Sequence, residues 1–250
     1  MKKKPLVLLC NDDGIYSRGL KALEEALRPL GTLYTVAPDR DQSTVSHSLT
    51  LHRPLRIHRR GERIYAVDGT PTDCVNLAIN KILPRKPNLL ISGINKGGNI
   101  GDDVTYSGTV SAAMEGTLLG VPSFAISVMG RDGFDFRPAA SFSRQVAKAI
   151  LKKGLPQETL LNINVPNVPS RRIQGYVVTQ QGKRVYEEVI TEKIDPRGKK
   201  YYWIGGDELK YKPHGASDMA AIRKRYISIT PIHLDLTNYA FLDELRQWKI

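Results

Sequence analysis

Short apolar runs alternate with helically spaced apolar stripes through the first two-thirds of the chain. Leu6 to Cys10 is a continuous apolar run closed by polar residues, the pattern of a short buried strand. Leu20, Leu23, Leu27 and Leu30 then recur on one helical face, with Ser17 available as N-cap, and Pro29-Leu30-Gly31 closes the segment. Leu33 to Ala37 predicts a second strand, stopped by Pro38. A hairpin is expected next, Leu55 to Ile57 against Ile64 to Val67, turning through Arg60-Gly61. Thr72 can cap a helix carrying Val75, Ala78, Ile79 and Ile82. Leu89 to Ile91 reads as a strand, followed by a glycine-rich loop and a helix from Val110 to Leu119. Ser123 to Val128, a helix ending at Gly154, and Leu160 to Val165 complete the series.

Strands alternating with helices of this length predict βαβ units and an α/β fold with a mostly parallel sheet. After Pro169 the pattern changes. Ile173 to Val178 and Tyr201 to Gly205 read as strands flanking a long polar stretch that contains Asp195-Pro196-Arg197-Gly198. So polar a pair of strands is marginal alone and is expected to pack on another subunit. Ser217 to Arg223 reads as a short helix, Tyr226 to Pro231 as a strand, and Tyr239 to Trp248 as an amphipathic helix. The expected division is an α/β core over residues 1–168 and an assembly segment over residues 169–250.

Composition narrows the class. The chain has 250 residues, 41% hydrophobic and 25% charged, as an ordinary globular protein does. Its two cysteines, Cys10 and Cys74, lie in apolar segments and read as buried thiols in a reducing compartment. Lys2 to Lys4 and the apolar run after them imitate a secretory signal. That run ends at Cys10, too soon for one, and no small-residue cleavage site follows. No other stretch could span a bilayer, so a cytoplasmic protein without a membrane partner is expected. The net charge of +12 favours anionic partners. Its basic residues are scattered over Lys2–Lys4, Arg53–Arg63, Arg171–Lys200 and Arg223–Arg225, with no recognisable nucleic-acid-binding module. Most of that charge reads as solvated surface, and no specific nucleic-acid partner is expected.

Four polar constellations follow the predicted strands, at the edge where open α/β sheets bind ligands. In Asn11-Asp12-Asp13-Gly14, adjacent carboxylates repel unless a cation lies between them, although the same residues also suit a turn with a helix cap. In Ala37 to Ser43, the Ser43 hydroxyl is either an ordinary loop group or an oxygen ligand completing a hard-cation site. Ser92 to Gly101 is glycine-rich, so backbone can approach a ligand, and Asn95 offers an amide oxygen; it matches neither a Walker loop nor a dinucleotide fingerprint. Tyr106-Ser107-Gly108-Thr109 opens a helix, giving either a simple N-cap or a phosphate cradle of amides and hydroxyls. Together on one edge, a cation site opposite a phosphate cradle suggests metal-assisted hydrolysis of a phosphate ester.

These same segments resemble the stationary-phase survival protein family SurE, from Leu6 to about Thr237. The resemblance rests on Asn11-Asp12-Asp13-Gly14, Ala37-Pro38 through Gln42-Ser43, Asp68 to Cys74, and Ser92-Gly93-Ile94-Asn95 to Asn99. Tyr106 to Val110, Ala112-Ala113, Glu115-Gly116, Ser217-Asp218 and Ile227 to Pro231 extend it. It implies a Rossmann-like three-layer core with a C-terminal β-hairpin and helix used in homodimer or homotetramer assembly. It implies a nucleoside monophosphate phosphatase, a 5'-nucleotidase in class, with 3'-nucleotide and short-polyphosphate hydrolysis as further activities. One divalent ion per subunit, magnesium or manganese, is implied on Asp12, Asp13, Ser43 and Asn95, with Asp12 and Asp13 catalytic. Asn11, Asn99, Ser107, Gly108 and Thr109 are the corresponding phosphate and substrate candidates. The chain departs from the family pattern at Thr44 and Arg225, where glycine is frequent, and at Asn88, where aspartate is frequent.

Three other readings compete. An aspartyl-phosphate phosphatase needs a second acid two residues after the nucleophile, and that position here is Gly14. A phospho-accepting receiver needs an acceptor Asp after a later strand, and only Asp68 offers itself, within a hairpin-like region. A non-catalytic phosphate- or nucleic-acid-binding protein is the third. His47, His52, His58, His214 and His233 lack metal-ligand spacing and are expected to be structural or surface residues.

Overall fold

The first strand, β1 (Leu6–Cys10), is buried along its whole length and lies in the middle of one large sheet. In the computed structural model, which describes residues 4–185, 190–204, 210–211 and 215–249, it is followed by α1 (Arg18–Leu27), β2 (Thr32–Pro38), β3 (Ile57–Gly61) and β4 (Ile64–Val67). Then come α2 (Pro71–Leu77), β5 (Leu89–Lys96), α3 (Gly108–Leu118), β6 (Ser123–Met129), α4 (Arg137–Lys153) and β7 (Thr159–Pro166). Beyond these lie β8 (Tyr176–Val178), β9 (Arg184–Val185), β10 (Ile190–Ile194), β11 (Lys200–Ile204) and β12 (Lys210–Tyr211), then α5 (Asp218–Arg223), β13 (Ile227–His233) and α6 (Leu242–Leu245).

The sheet runs β3-β4-β2-β1-β5-β6-β7-β13-β8. Strands β4 to β7 in that order are parallel, β3 and β13 are antiparallel to their inner neighbours, and β8 runs parallel to β13. From β1 the chain steps outward to β2 and β4, then returns to β5 and builds the other half. Strand order therefore reverses between β1 and β5, which opens a crevice at their carboxyl ends.

Alternation along β1 explains the layering. Val7 and Leu9 pack with Leu20, Leu23, Leu27, Ala139, Phe142 and Val146 of α1 and α4. Leu8 and Cys10 face the opposite way, onto Cys74, Val75, Val110 and Ala113 of α2 and α3. A strand buried on both faces has no polar positions to show, hence the unbroken apolar run. Cys10 and Cys74 are free and buried. Among the described residues, no helix is long and apolar enough to cross a membrane.

Several expectations need correcting. The first hairpin turns through Glu62-Arg63, with Arg63 left-handed at φ 61, rather than through Arg60-Gly61. Helix α2 is capped by Thr70, whose hydroxyl accepts from Asp73 N while the Asp73 carboxylate takes Thr70 N; Pro71 then fills the first turn, so Thr72 lies inside the helix. Strand β5 continues to Lys96 through an irregularity between Ser92 and Asn95, so Asn95 sits in the strand end and not in a loop. Of Ile173 to Val178 only β8 is strand, and it joins the main sheet beside β13. The partner of β11 is β10, closed by a turn in which the Asp195 carboxylate accepts from Arg197 N and Lys199 N. Predicted Gly205 and His214 lie outside the described residues. Tyr239 to Trp248 forms only a 3-10 turn and the single-turn α6, with Tyr239 and Trp248 exposed. An apolar stripe stabilises a helix only where it has something to cover.

The departures at Thr44 and Arg225 both fall at left-handed backbone, φ 58 and 62. Arg225 follows the last turn of α5, where Tyr226 N donates to Ala221 O at 3.0 Å, and glycine suits that position best. Arg225→Gly is expected to stabilise the protein by about 1 kcal/mol, raising Tm by roughly 2–4 °C in a thermal melt. At Asn88 an amide oxygen is sufficient, because Oδ1 accepts from Leu6 N and Arg85 Nη1, each at 2.9 Å.

Candidate functional site

The carboxyl end of β1 turns sharply because Asn11 uses its amide on its own loop. Nδ2 donates to Gly14 O at 3.1 Å and to Ser17 Oγ at 2.7 Å, and Ser17 Oγ in turn caps α1. Gly14 is left-handed at φ 94, and a Cβ there would stand 3.1 Å from the Arg40 backbone. Glycine thus lets the loops after β1 and β2 close on each other. Ile15 N donates to Pro38 O at 2.9 Å and Gln42 N to Asp12 O at 2.8 Å.

Asp12 is 5% exposed and lies against the start of α3. The Thr109 hydroxyl donates to its Oδ1, and a Cβ on Gly108 would fall 2.9 Å from the Asp12 Cβ. Only glycine allows this approach. Burial pushes the Asp12 carboxyl up to about 6; the Thr109 hydroxyl and amide oppose the shift, and the neighbouring Asp13 charge adds to it. Asp13 is also raised by burial, against the opposing effect of Lys96. Lys96 Nζ sits 3.1 Å from Asp13 Oδ1 and 3.4 Å from Asp41 Oδ2, so an ammonium already occupies the ground between these acids. The Ser43 hydroxyl and amide both donate to Asp41 Oδ1, linking Ser43 to the same chain of charges. Asn95 commits Nδ2 to Gly97 O at 2.9 Å, which leaves its oxygen for a ligand.

This donor set fits a hard divalent cation. Its atoms are all oxygens, its two central carboxylates are buried, and the attracted Lys96 ammonium stands in for positive charge. The buried Asn11 Oδ1, at the same strand end, has no hydrogen-bond partner among the described residues. Among the described residues, no three His, Cys, Asp or Glu side chains form a metal cluster, so neutral oxygens must supply the remaining ligands.

The other candidates divide. Ser107 caps α3, its Oγ accepting from Val110 N at 3.0 Å, and Thr109 commits its side chain to Asp12. Asn99 turns inward: its N–H donates to Asn164 Oδ1, its Nδ2 to Ser127 Oγ, and its carbonyl accepts from both Asn162 and Asn164. That buried amide network holds the glycine-rich loop onto β7. Asn162 and Asn164 interrupt an apolar strand at alternate positions, a signal for a polar patch on one face that sequence reasoning left unused. Lys96 and Asp41 also received no role from sequence, although both lie inside quoted segments.

The loop after β2, which carries Asp41 and Ser43, is fastened at its far end. His47 Nε2 lies 2.9 Å from Glu115 Oε2, and Asn76 Nδ2 donates to Glu115 Oε1 at 2.9 Å. Ser46 N donates to Tyr106 O at 3.3 Å and Thr50 N to Asp73 Oδ1 at 2.9 Å. His47, then Asn76, hold the Glu115 carboxyl below its usual range against the opposing effect of burial. A depressed carboxyl contributes stability above its unfolded value, and loses it as pH falls through the lower folded value. His47→Ala is therefore expected to cost about 1 kcal/mol near neutrality, screened by the half-exposed imidazole, with the gap in Tm closing in acid as the depressed Glu115 carboxyl is protonated. Of the other histidines, His52 and His58 are exposed and His233 stands 4.0 Å from Glu158 at the surface.

Comparison with known proteins agrees with this architecture. The family described as Survival protein SurE matches residues 7–188. A protein of Geotalea daltonii named 5'-nucleotidase SurE is 54% identical over 245 residues, covering 98% of this chain and 99% of its own. One of the same name from Geobacter sulfurreducens is 51% identical, covering 98% and 94%. The crystal structure of the SurE protein from Aquifex aeolicus superposes with a TM-score of 0.89 at 47% identity, covering 97% of this chain and 98% of that one. With the matched segment carrying β1, the crevice and its acids, the chain belongs to the SurE family.

Proposed function

We propose that this protein is a divalent-metal-dependent phosphatase that hydrolyses nucleoside 5'-monophosphates, and also 3'-monophosphates and short polyphosphate, in the cytoplasm. The observation that carries this reading is the pair of carboxylates at the switch point of the sheet, Asp12 buried and pressed against the first turn of α3 and Asp13 next to it with its side chain largely covered. The printed name of the relatives, 5'-nucleotidase, supports it.

Asp12, Asp13, the Ser43 hydroxyl and the Asn95 amide oxygen would hold one magnesium or manganese ion. Such an ion supplies charge stabilisation at the phosphoryl oxygens and makes water more acidic. Thr109 holds Asp12 in place by its hydroxyl, and Asn11 sets the turn that presents both acids. Ser107 and Gly108 open α3 toward the phosphate, where the helix start favours an anion. Asn99 shapes the loop beneath, and Lys96 neutralises charge beside Asp13. Water oxygen bonds to phosphorus, the ester bond breaks, and the nucleoside oxygen leaves with a proton. The segment 169–250, with the exposed Ile190, Ile194, Tyr202 and Trp203 of the β10–β11 hairpin, would join subunits into a homodimer or homotetramer.

Phosphate release from a panel of 5'- and 3'-nucleotides and tripolyphosphate, with EDTA, magnesium or manganese, tests the reading. Release restored by metal supports it. Absence of release with every metal, from folded protein, overturns it in favour of a non-catalytic binder.

A further inference from the structure

We infer that the nucleoside part of the substrate lies in the pocket beside Asp13, with its base stacked on Tyr16 and the Phe134–Phe136 pair. The inference rests on the phosphatase reading and extends it to the part of the substrate that does not react. The pocket holds about 780 Å³ and is continuous with the candidate metal site, since Asp13 and Lys96 form one of its walls. That volume suits a nucleotide-sized ligand.

Its lining combines the charged groups of Lys96, Arg40, Arg18 and Asp39 with the aromatic rings of Tyr16, Phe134 and Phe136. Tyr16 is 75% exposed although it follows directly on the buried turn at Gly14-Ile15, so nothing in the fold requires an aromatic ring there. The Phe134 and Phe136 rings are stacked, with centroids 6.1 Å apart and planes at 14°. Their loop is held rigid. Asp135 N donates to Asn167 Oδ1 at 3.1 Å, the Asp135 carboxylate takes Arg137 Nη2 at 2.7 Å, and a Cβ on Gly19 would stand 3.3 Å from Phe136 Cε1. Aromatic rings placed beside a phosphate-directed site form a stacking platform for a nucleobase.

A platform of this kind reads the face of a base and not its edge. Among the described residues no side-chain amide lines the pocket, so discrimination among bases is expected to be small, with purines ahead of pyrimidines by overlap area.

The test compares AMP with ribose 5-phosphate, which keeps the sugar and phosphate and lacks the base. Tyr16→Ala is expected to lower kcat/KM for AMP by about tenfold, mostly through KM, while ribose 5-phosphate changes less than about twofold; Tyr16→Phe keeps the parent value. Equal losses on both substrates, or none on AMP, overturn the inference. Calorimetric binding of adenosine, which has no phosphate, decides the case separately from catalysis. The parent must bind it and Tyr16→Ala must weaken it at least about fivefold. Adenosine binding lost in the variant, from a parent that releases no phosphate, would sink the phosphatase reading and leave the pocket assignment standing; a parent that releases phosphate and whose adenosine binding is unchanged by Tyr16→Ala would do the reverse.

Discussion

Asp12→Asn is expected to lower metal-dependent kcat/KM by at least about three orders of magnitude, equivalent to roughly 4 kcal/mol of barrier. The substitution keeps the size and shape of the side chain, and the Thr109 hydroxyl can still donate to an amide oxygen at Oδ1. What it removes is a formal charge from a buried position beside a second carboxylate at the end of β1. A hard cation bound mainly by neutral oxygens is held far less tightly. Stability should not fall with activity, because replacing a buried charge by a neutral amide relieves desolvation. Melting in EDTA therefore separates the two effects: the variant unfolds at or above the parent temperature. Manganese then raises Tm for the parent and leaves the variant unmoved. A variant that keeps a tenth or more of parental activity would place the essential charge elsewhere.

Gly19→Ala is expected to be the most destabilising single methyl at this edge of the fold. Its Cβ would lie 1.9 Å from Ile94 O and 3.0 Å from Ile94 C, which is backbone and has no rotamer to change. Helix α1 must retreat from β5, and overpacking of this kind costs on the order of 3 kcal/mol or more, lowering Tm by roughly 6–12 °C. Activity should fall with it, because the contact fixes Asn95 and Lys96 at the end of β5 relative to Asp13 after β1. Gly215→Ala, where no heavy atom lies within 4 Å, is the control and should move Tm by no more than about 1–2 °C. Equal melting of the two variants would show that α1 is free to shift.

How much of this was readable in advance depends on how far apart the interacting residues are. Strand β1, its burial on both faces and the acids at its end needed only local pattern, since an apolar run followed by Asn-Asp-Asp-Gly has few other solutions. The cap of α2 was also local, and Thr70-Pro71-Thr72-Asp73 spells it, with Thr70 and not the expected Thr72 as the capping residue. The helix expected over Tyr239 to Trp248 had the right periodicity, but its exposed ring residues find no core, and periodicity alone does not hold a helix.

The sequence by itself determined the α/β class, the parallel core, the edge where chemistry collects and, through family resemblance, the residues to inspect there. Tertiary structure alone decided what each of those side chains touches. Asn99 is turned inward by partners 63 and 65 positions away, and Lys96 bridges Asp13 and Asp41 across separations of 83 and 55. Strand pairing likewise joined β10 to β11 and carried β8 to the far edge of the main sheet. Such contacts leave no trace in local spacing, because hydrogen bonds and ion pairs act over a few ångströms in space while the chain between their ends can take any length.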